Sequence, residues 1–240
     1  MTVAACLIVK NEGAVIARCL RSAAGLVQAV VIVDTGSTDD TLAVIRGLDL
    51  PVPIHLHRRP WKNFAHNRTE LLRLAEQVAD YLLLLDADQT VEGRLPELSA
   101  DAYSVLIRTA ALAFRKLILV RSALPWRYEG VVHEYATCER AAPAVLLDSL
   151  VIRDHGDGGR RPPGWQPRWE WDAEVLEQEL KRDPSNARTV FTWRVPTTTW
   201  RRPFPAPRGP ADGDKRPRPA TASVPRWAAT LRKSFSRFTA

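Results

Sequence analysis

The sequence lacks an apolar run long enough to cross a membrane, since none approaches the roughly 18 residues that a spanning helix needs. It also has little cysteine, because Cys6, Cys19 and Cys138 are the only three and show no metal-site spacing. No basic region precedes the first apolar segment, as it would in a secretory signal peptide. These absences predict a cytoplasmic protein with no transmembrane segment, whose cysteines are buried and reduced.

Most of the chain has no excess of positive charge, although the formal net charge is +7. Residues 192–240 hold 11 of the 34 Lys and Arg residues, 2 of the 27 Asp and Glu residues and 8 of the 18 prolines. The preceding residues therefore carry 23 basic and 25 acidic side chains. We expect no specific nucleic-acid binding, although a basic tail can bind nucleic acid nonspecifically at low salt. Peripheral contact of this tail with a membrane stays open.

The first 90 residues contain alternating strand-like and helix-like segments. The apolar runs "VAACLIV", "AVVIVD", "VPIHLH" and "YLLLL" are separated by segments with apolar residues at helical spacing. This alternation predicts an α/β fold, a doubly wound and mostly parallel sheet with helices on both faces. Ligands bind at the carboxyl ends of the strands in such sheets. We expect the polar residues that follow the strands to converge there: Lys10, Asn11, Glu12, Asp34, Ser37, Asp86 and Asp88.

The pattern changes after Thr90, where long helices no longer separate the strand-like segments. "AYSVLIRT", "RKLILVRS", "EGVVHEY" and "AVLLDSLVIRD" follow one another and predict an antiparallel or mixed part of the sheet. The segment "EWDAEVLEQELKR" then predicts a helix that ends near Asp183, because Pro184 follows. The strands of the sheet should therefore be complete before the chain enters a helical segment.

Two acidic residues, Asp86 and Asp88, follow the fourth apolar run. An extended backbone there would place both side chains on the same side, since strand residues two apart share a face. Two carboxylates suit a hard divalent cation, Mg²⁺ or Mn²⁺, that also binds substrate phosphates. A solvated turn without a ligand is the alternative interpretation of this motif.

Four motifs occur in this order: "LIVKNE", "VIVDTGSTDDT", "NFAHNRTELL" and "LLLLDADQTV". Together they resemble the motifs of an inverting family-2 glycosyltransferase of the GT-A fold. The resemblance covers residues 2–93, and "WRYEGVVHEY" and "DHGDGGRR" extend it more weakly to residue 161. It implies a GT-A catalytic domain at 1–161 and a helical extension at 162–191, the start of a repeat-like region. The Pro/Arg-rich tail at 192–240 is expected to be disordered or the product of a frame shift near Phe191.

The resemblance also implies the roles of individual residues. Nucleotide-sugar contacts fall on Val9, Lys10, Asn11, Glu12, Asp34, Ser37, Arg68 and Asp86. Among them, Asp34 would accept hydrogen bonds from the uracil or ribose, and the Arg68 guanidinium would lie near the nucleotide. Asp86 and Asp88 would hold Mn²⁺ or Mg²⁺, which neutralises the leaving diphosphate.

An inverting transfer needs a base to remove the proton of the acceptor, and that base is usually Asp or Glu. We expect Glu134 in "GVVHEY", at the end of a strand, to be this base, with purely local hydrogen bonding as the alternative. His155 in "RDHGDGG" is a candidate third metal ligand, with a structural histidine as the alternative.

The resemblance therefore favours a metal-dependent enzyme that transfers a sugar, with inversion, from a UDP-sugar to an unidentified acceptor. The region expected to bind the acceptor is short in this sequence, so a second hypothesis stays open. In it the chain is a catalytically idle protein that binds a nucleotide sugar or another partner.

Overall fold

The computed structural model describes residues 1–130, 134–158 and 168–183, with side chains from 175 onwards in the last range. The predicted tail at 192–240 lies outside these residues. The strands are β1 (Val3–Val9), β2 (Ala29–Asp34), β3 (Ile54–Arg58), β4 (Tyr81–Leu84), β5 (Gln89–Gly93), β6 (Ala102–Arg108), β7 (Ala113–Arg121), β8 (Arg127–Glu129), β9 (Tyr135–Thr137) and β10 (Val145–Asp154). The helices are α1 (Ile16–Ala23), α2 (Thr41–Gly47), α3 (Phe64–Ala75) and α4 (Arg168–Arg182).

Eight of the described strands form one mixed sheet in the order β3-β2-β1-β4-β7-β6-β10-β5. β1 to β4 run parallel to one another, as does β10 to β6, while β7 and β5 pair antiparallel with their neighbours. The chain runs from β1 through β2 to β3 in one direction, and β4 lies on the other side of β1. Right-handed crossovers therefore place α1 and α2 on one face and α3 on the other. This confirms the predicted α/β fold with a mostly parallel sheet.

The core lies around β1, β2 and β4, which are buried along nearly their whole length. Helices cover both faces of these strands, so that their sequences are continuous apolar runs rather than alternating ones. The thiols of Cys6 and Cys19 are free and buried in this core, as predicted. Cys138 is half-buried, contrary to the prediction, because it follows β9 in a separate two-stranded sheet.

The sheet is curled, and the connection between β4 and β5 requires this. The two strands are four positions apart in the sheet, which is about 19 Å in a flat sheet with strands about 4.8 Å apart. Residues 85–88 alone connect them, and Gln89 N donates to Asp86 O at 3.0 Å, so this link is a turn. A turn of this kind cannot span a flat sheet. β5, which the sequence did not indicate as a strand, therefore lies close to α1, where Val91 N donates to Ser22 Oγ at 3.0 Å.

The segment "EGVVHEY" is not the single strand that its sequence predicts. β8 ends at Glu129, Gly130 has a φ of +99°, and β9 begins only at Tyr135. Residues 131–133 lie outside the described part. By contrast, α4 ends at Arg182, as expected from the proline that follows Asp183. In the described residues, no helix combines the length and apolar character needed to cross a membrane.

Candidate active site

The candidate site lies at the edge of the sheet where β1, β2, β4 and β10 end and the antiparallel β5 begins. The order of strands along the chain reverses between β1 and β4, and crevices for ligands form at such switch points. The loops at 10–15, 35–40, 85–88 and 155–158 all leave from this edge. The structure therefore brings the polar residues after the strands together, as the sequence predicts.

The loops that follow β1 and β2 are joined by hydrogen bonds. Asn11 adopts a φ of +57°, a left-handed conformation that asparagine tolerates better than most residues. Its backbone N donates to Ser37 Oγ at 3.0 Å, and its Oδ1 accepts from Thr38 N at 2.8 Å. Glu12 N donates to Thr41 Oγ1 at 2.7 Å. The two loops thus form one unit whose shape depends on the side chains predicted to contact a nucleotide.

Asp34 ends β2 and is completely buried. Its Oδ1 accepts from Ser37 N at 3.1 Å, and its Oδ2 accepts from Gly36 N at 3.3 Å. Arg58 Nε lies 3.6 Å from the same Oδ2. The Asp34 carboxylate therefore shapes the loop after β2 in this structure, and a contact with uracil or ribose stays a prediction.

Val9, the last residue of β1, and Lys10, which follows it, differ in exposure. Val9 is buried, and its carbonyl oxygen accepts from Thr35 N at 2.9 Å and from Thr35 Oγ1 at 3.1 Å. Lys10 is exposed. Lys10 therefore offers its side chain to a ligand, whereas the side chain of Val9 belongs to the core.

Asp86 and Asp88 lie in a turn, so the expected extended backbone is wrong. The reason is that β4 and β5 run in opposite directions, and the chain must reverse between them. Gln89 stabilises this turn, since its Oε1 accepts from Asp86 N at 3.1 Å and its Nε2 lies 3.3 Å from Asp154 Oδ2. The buried amide of Gln89 therefore links the acidic turn to the end of β10.

Asp88 lies among other acidic groups. Burial raises the pKa of Asp88, and the charges of Asp154 and Asp86 raise it further. Gly158 N donates to Asp88 Oδ2 at 3.3 Å. A Cβ on Gly158 would lie 3.1 Å from Asp88 Oδ2 and 3.1 Å from Glu12 Oε2, so both carboxylates face the same position. A cation bound here would relieve this repulsion, and oxygen ligands of this kind suit a hard divalent cation.

His155 lies beside the acidic turn. Its backbone N donates to Asp88 O at 3.2 Å, and its Nε2 lies 3.0 Å from Thr90 Oγ1. In the parts of the chain that are described, no three or more His, Cys, Asp or Glu side chains form a group that could hold a metal ion. The predicted ligand set of Asp86, Asp88 and His155 is therefore neighbouring but not assembled.

Arg68 connects the acidic turn to Glu134. Its side chain projects from α3 and is 8% exposed, with Nη2 2.5 Å from Asp86 Oδ1 and Nε 3.0 Å from Glu134 Oε1. The guanidinium carbon lies 5.4 Å from the centre of the Tyr128 ring. Burial alone would lower the pKa of Arg68, but the surrounding negative charges, led by that of Asp86, outweigh it and raise the pKa. Burial also raises the pKa of Tyr128 to about 12.

The sequence context of Glu134 predicts that it ends a strand. In the structure it instead directly precedes β9. β8 stops at Glu129, so the chain has already left the first strand of the pair when it reaches Glu134. The Glu134 side chain is 15% exposed and held by Arg68. The structure therefore places Glu134 next to the acidic turn through a shared arginine.

Comparison with known proteins identifies the segment that carries most of this site. Residues 5–102 match the model of glycosyl transferase family 2. An uncharacterized glycosyltransferase of Rickettsia felis is 34% identical over 95 residues, which are 40% of this chain and 31% of the relative. The lipopolysaccharide core biosynthesis glycosyltransferase LpsC of Rhizobium meliloti is 31% identical over 99 residues, 41% and 36% of the two chains. The matched region thus spans about a third of the length of these relatives.

A solved structure is similar in fold over more of the chain than residues 5–102. Staphylococcus aureus TarS, residues 1–349 in complex with UDP-GlcNAc, superposes with a TM-score of 0.50 at 13% sequence identity. The match covers 80% of this chain and 70% of the TarS chain. At this identity the likeness concerns the fold alone, and it agrees with the curled, mostly parallel sheet described above.

The sequence interpretation missed several residues of this site. Asp154 and Gln89 contact each other and flank the acidic turn. Asp157 pairs with Arg18 of α1 at 2.6 Å, which fastens the loop after β10. Asp154 could have been found with the rule that singled out Asp86, since it too is an acid at the end of an apolar strand. Gln89 carries no such signal.

Proposed function

We propose that this protein transfers a sugar from a nucleotide-sugar donor, a UDP-sugar, to an acceptor with inversion at the sugar carbon. The observation that carries the proposal is the crowding of Asp86, Asp88 and Asp154 at the switch point of a sheet whose first half matches family 2. Carboxylates gathered where ligands bind in such sheets indicate a site for a cation and the anionic group that accompanies it. The names of the relatives support the same class of reaction.

In this proposal the joined loops after β1 and β2 hold the nucleotide. Lys10 is exposed beside them, and Asn11 and Ser37 shape the pocket through their mutual hydrogen bond. The carboxylate of Asp34 lies beneath the loop after β2. It would accept hydrogen bonds from uracil or ribose once this loop moves. The backbone of Val9 and the side chain of Glu12 border the same pocket. UDP is the natural first probe, because TarS, which has a similar fold, was solved with UDP-GlcNAc.

Asp86 and Asp88 would hold Mn²⁺ or Mg²⁺, with His155 as a candidate third ligand. The raised pKa of Asp88 is compatible with this role, since burial raises it first and the charges of Asp154 and Asp86, which a divalent cation would neutralise, raise it further. A set of three assembled protein ligands is not required, because Mg²⁺ is often bound by one or two carboxylates and substrate phosphates. The cation would stabilise negative charge on the leaving diphosphate.

Glu134 is the base of the proposed reaction. The acceptor hydroxyl oxygen bonds to the sugar carbon while the bond from that carbon to the diphosphate oxygen breaks. The hydroxyl proton passes to the Glu134 carboxylate, and the displaced nucleoside diphosphate carries away the electron pair. Arg68 keeps Glu134 next to the acidic turn, with Nε 3.0 Å from its Oε1. A single displacement of this kind inverts the sugar carbon.

The proposal assigns the catalytic domain to residues 1–161 and a helical extension to 162–191, within which α4 lies. Residues 192–240 would form a tail with no part in the site. The acceptor would contact the side of the site on which Glu134 lies.

Calorimetric titration of UDP, with and without Mn²⁺, tests the donor site. We expect wild-type protein to bind UDP more tightly with Mn²⁺, and Asp88→Asn to abolish this gain. Asp49→Asn is the matched control, because Asp49 is an exposed aspartate beyond the end of α2, away from this edge of the sheet. A folded wild-type protein that binds no UDP would exclude the proposed function.

One observation favours the second candidate, a protein that binds a nucleotide sugar without transferring it. Glu134 is only 15% exposed and already bonded to Arg68, so its carboxylate is not open to an acceptor in this structure. Release of UDP from UDP-sugars, measured with a range of sugars and with water as the acceptor, separates the two. Turnover that Glu134→Gln removes favours the transferase, and tight binding without turnover favours the idle protein.

A further inference from the structure

Two carboxylates share one edge of the Arg68 guanidinium. Nε donates to Glu134 Oε1 at 3.0 Å, and Nη2 donates to Asp86 Oδ1 at 2.5 Å. These two nitrogens lie on the same edge of the planar group, which a single carboxylate can occupy with both of its oxygens. Each carboxylate here takes one of the two bonds that this edge offers. Asp86 and Glu134 therefore compete for Arg68.

The position of Arg68 makes this competition hard to avoid. Its side chain is 8% exposed and the guanidinium lies against the ring of Tyr128, so Arg68 stays between the two carboxylates. Asp86 is 37% exposed and can move away, whereas Glu134 is only 15% exposed. Neighbouring Thr69 also fixes the arrangement, because its Oγ1 accepts from Tyr128 N at 2.9 Å. α3 thereby anchors β8 directly beneath the shared arginine.

We propose that Arg68 is a positioning residue that couples occupancy of the nucleotide site to Glu134. This inference rests on the proposed function, since it takes Asp86 as a donor-site residue and Glu134 as the base. When the donor and its cation draw Asp86 away, the edge of the guanidinium becomes available to Glu134. Glu134 is then held by two bonds instead of one at the moment when a donor is present.

The coupling has a reciprocal form that binding can measure. Whatever the nucleotide does to Glu134 through Arg68, Glu134 must do in return to the affinity for the nucleotide. Loss of the Glu134 charge leaves the whole edge to Asp86, which becomes harder to recruit. Glu134→Gln should therefore weaken UDP binding in the presence of Mn²⁺, by about fivefold at the low end of allosteric couplings.

The sign of this change separates the proposal from a simple electrostatic effect. UDP is an anion, so removal of a nearby negative charge without any coupling would strengthen its binding. Calorimetric titration of UDP with Mn²⁺ into wild type and Glu134→Gln decides between the two. Affinity that is unchanged or increased in Glu134→Gln overturns the proposal.

Arg68→Lys provides the matched background, because lysine keeps the charge but has no planar edge for two carboxylates. In this background Glu134→Gln should no longer weaken UDP binding. Persistence of the same loss in the Arg68→Lys background would also overturn the proposal, because the effect would then not depend on the shared edge.

A measurement without nucleotide keeps the two proposals distinguishable. Asp86→Asn and Glu134→Gln should each lower the thermal unfolding temperature slightly, since the remaining carboxylate takes over the edge. In the double variant, the unfolding temperature should fall by more than the sum of the two single decreases. Additive decreases in unfolding temperature would overturn the proposal that the two carboxylates share Arg68, even if UDP binds well. Failure of wild type to bind UDP would instead exclude the proposed function, and with it the coupling to a nucleotide.

Discussion

Replacement of Arg68 by methionine should destabilise the protein strongly. Methionine keeps much of the buried apolar volume but leaves Glu134, 15% exposed, without its cation. Removing one partner of a buried ion pair costs about 3–5 kcal/mol. Asp86 is 37% exposed and can recruit water, so we take the low end, about 3 kcal/mol. At about 2–4 °C per kcal/mol for a domain of this size, the unfolding temperature should fall by about 6–12 °C.

Circular dichroism during heating measures this loss, and Arg59→Met is the control. Arg59 pairs with Glu70 of α3 at 2.9 Å, but the two side chains are 36% and 29% exposed. A pair of this kind contributes at most about 1 kcal/mol. Glu134→Gln added to Arg68→Met should recover part of the loss, because it removes the orphaned charge. If Arg68→Met costs no more than Arg59→Met, the assumed buried charge network does not exist.

Four further predictions concern Asp88 of the acidic turn, two glycines of the loop after β10 and Gly93 at the end of β5. Because the pKa of Asp88 is raised, its ionised form lowers the stability of the fold near neutral pH, and this penalty disappears as the pH falls through that pKa. Asp88→Asn should therefore unfold at the wild-type temperature or above it at pH 7. A clear decrease in unfolding temperature would contradict this. Gly158→Ala places a Cβ 3.1 Å from Asp88 Oδ2 and should weaken UDP binding in the presence of Mn²⁺, measured by calorimetry. Gly156→Ala, with open space but a φ of +64°, should cost about 1 kcal/mol of stability and leave binding unchanged. Gly93→Ala puts a Cβ 2.1 Å from Ser149 O at a φ of +108° and should cost more than about 2 kcal/mol of stability, measured by urea unfolding. A variant of near-wild-type stability would show that β5 and β10 are spaced differently.

The first half of the fold could be predicted because its strands are buried on both faces. A run such as that of β2 is apolar at nearly every position and ends at a polar residue, Asp34, where the strand ends. The same signal locates the edge of the sheet and most of the site. Local sequence and tertiary position agree in this region.

The second half could not be predicted as well, because tertiary contacts determine it. β5 is short and carries polar residues such as Gln89 and Glu92, and its pairing with β10 exists only once the sheet has curled. The break between β8 and β9 depends on Gly130, whose left-handed backbone the sequence does not reveal. Arg68 is singled out by its motif, but its contacts with Asp86 and Glu134 join three distant segments, and the motif does not reveal them.

The turn at 85–88 has a consequence for how this site can change. It is the whole connection between a central strand and an outer strand of the same sheet, so its length sets the curvature of the sheet. An inserted residue would do more than displace Asp88, because it would let β5 drift away from α1 and open the sheet. This geometry fixes the number of residues in the turn independently of which side chains they carry. The chemistry of this edge is therefore adjustable by substitution, whereas its spacing is fixed by the architecture that it closes.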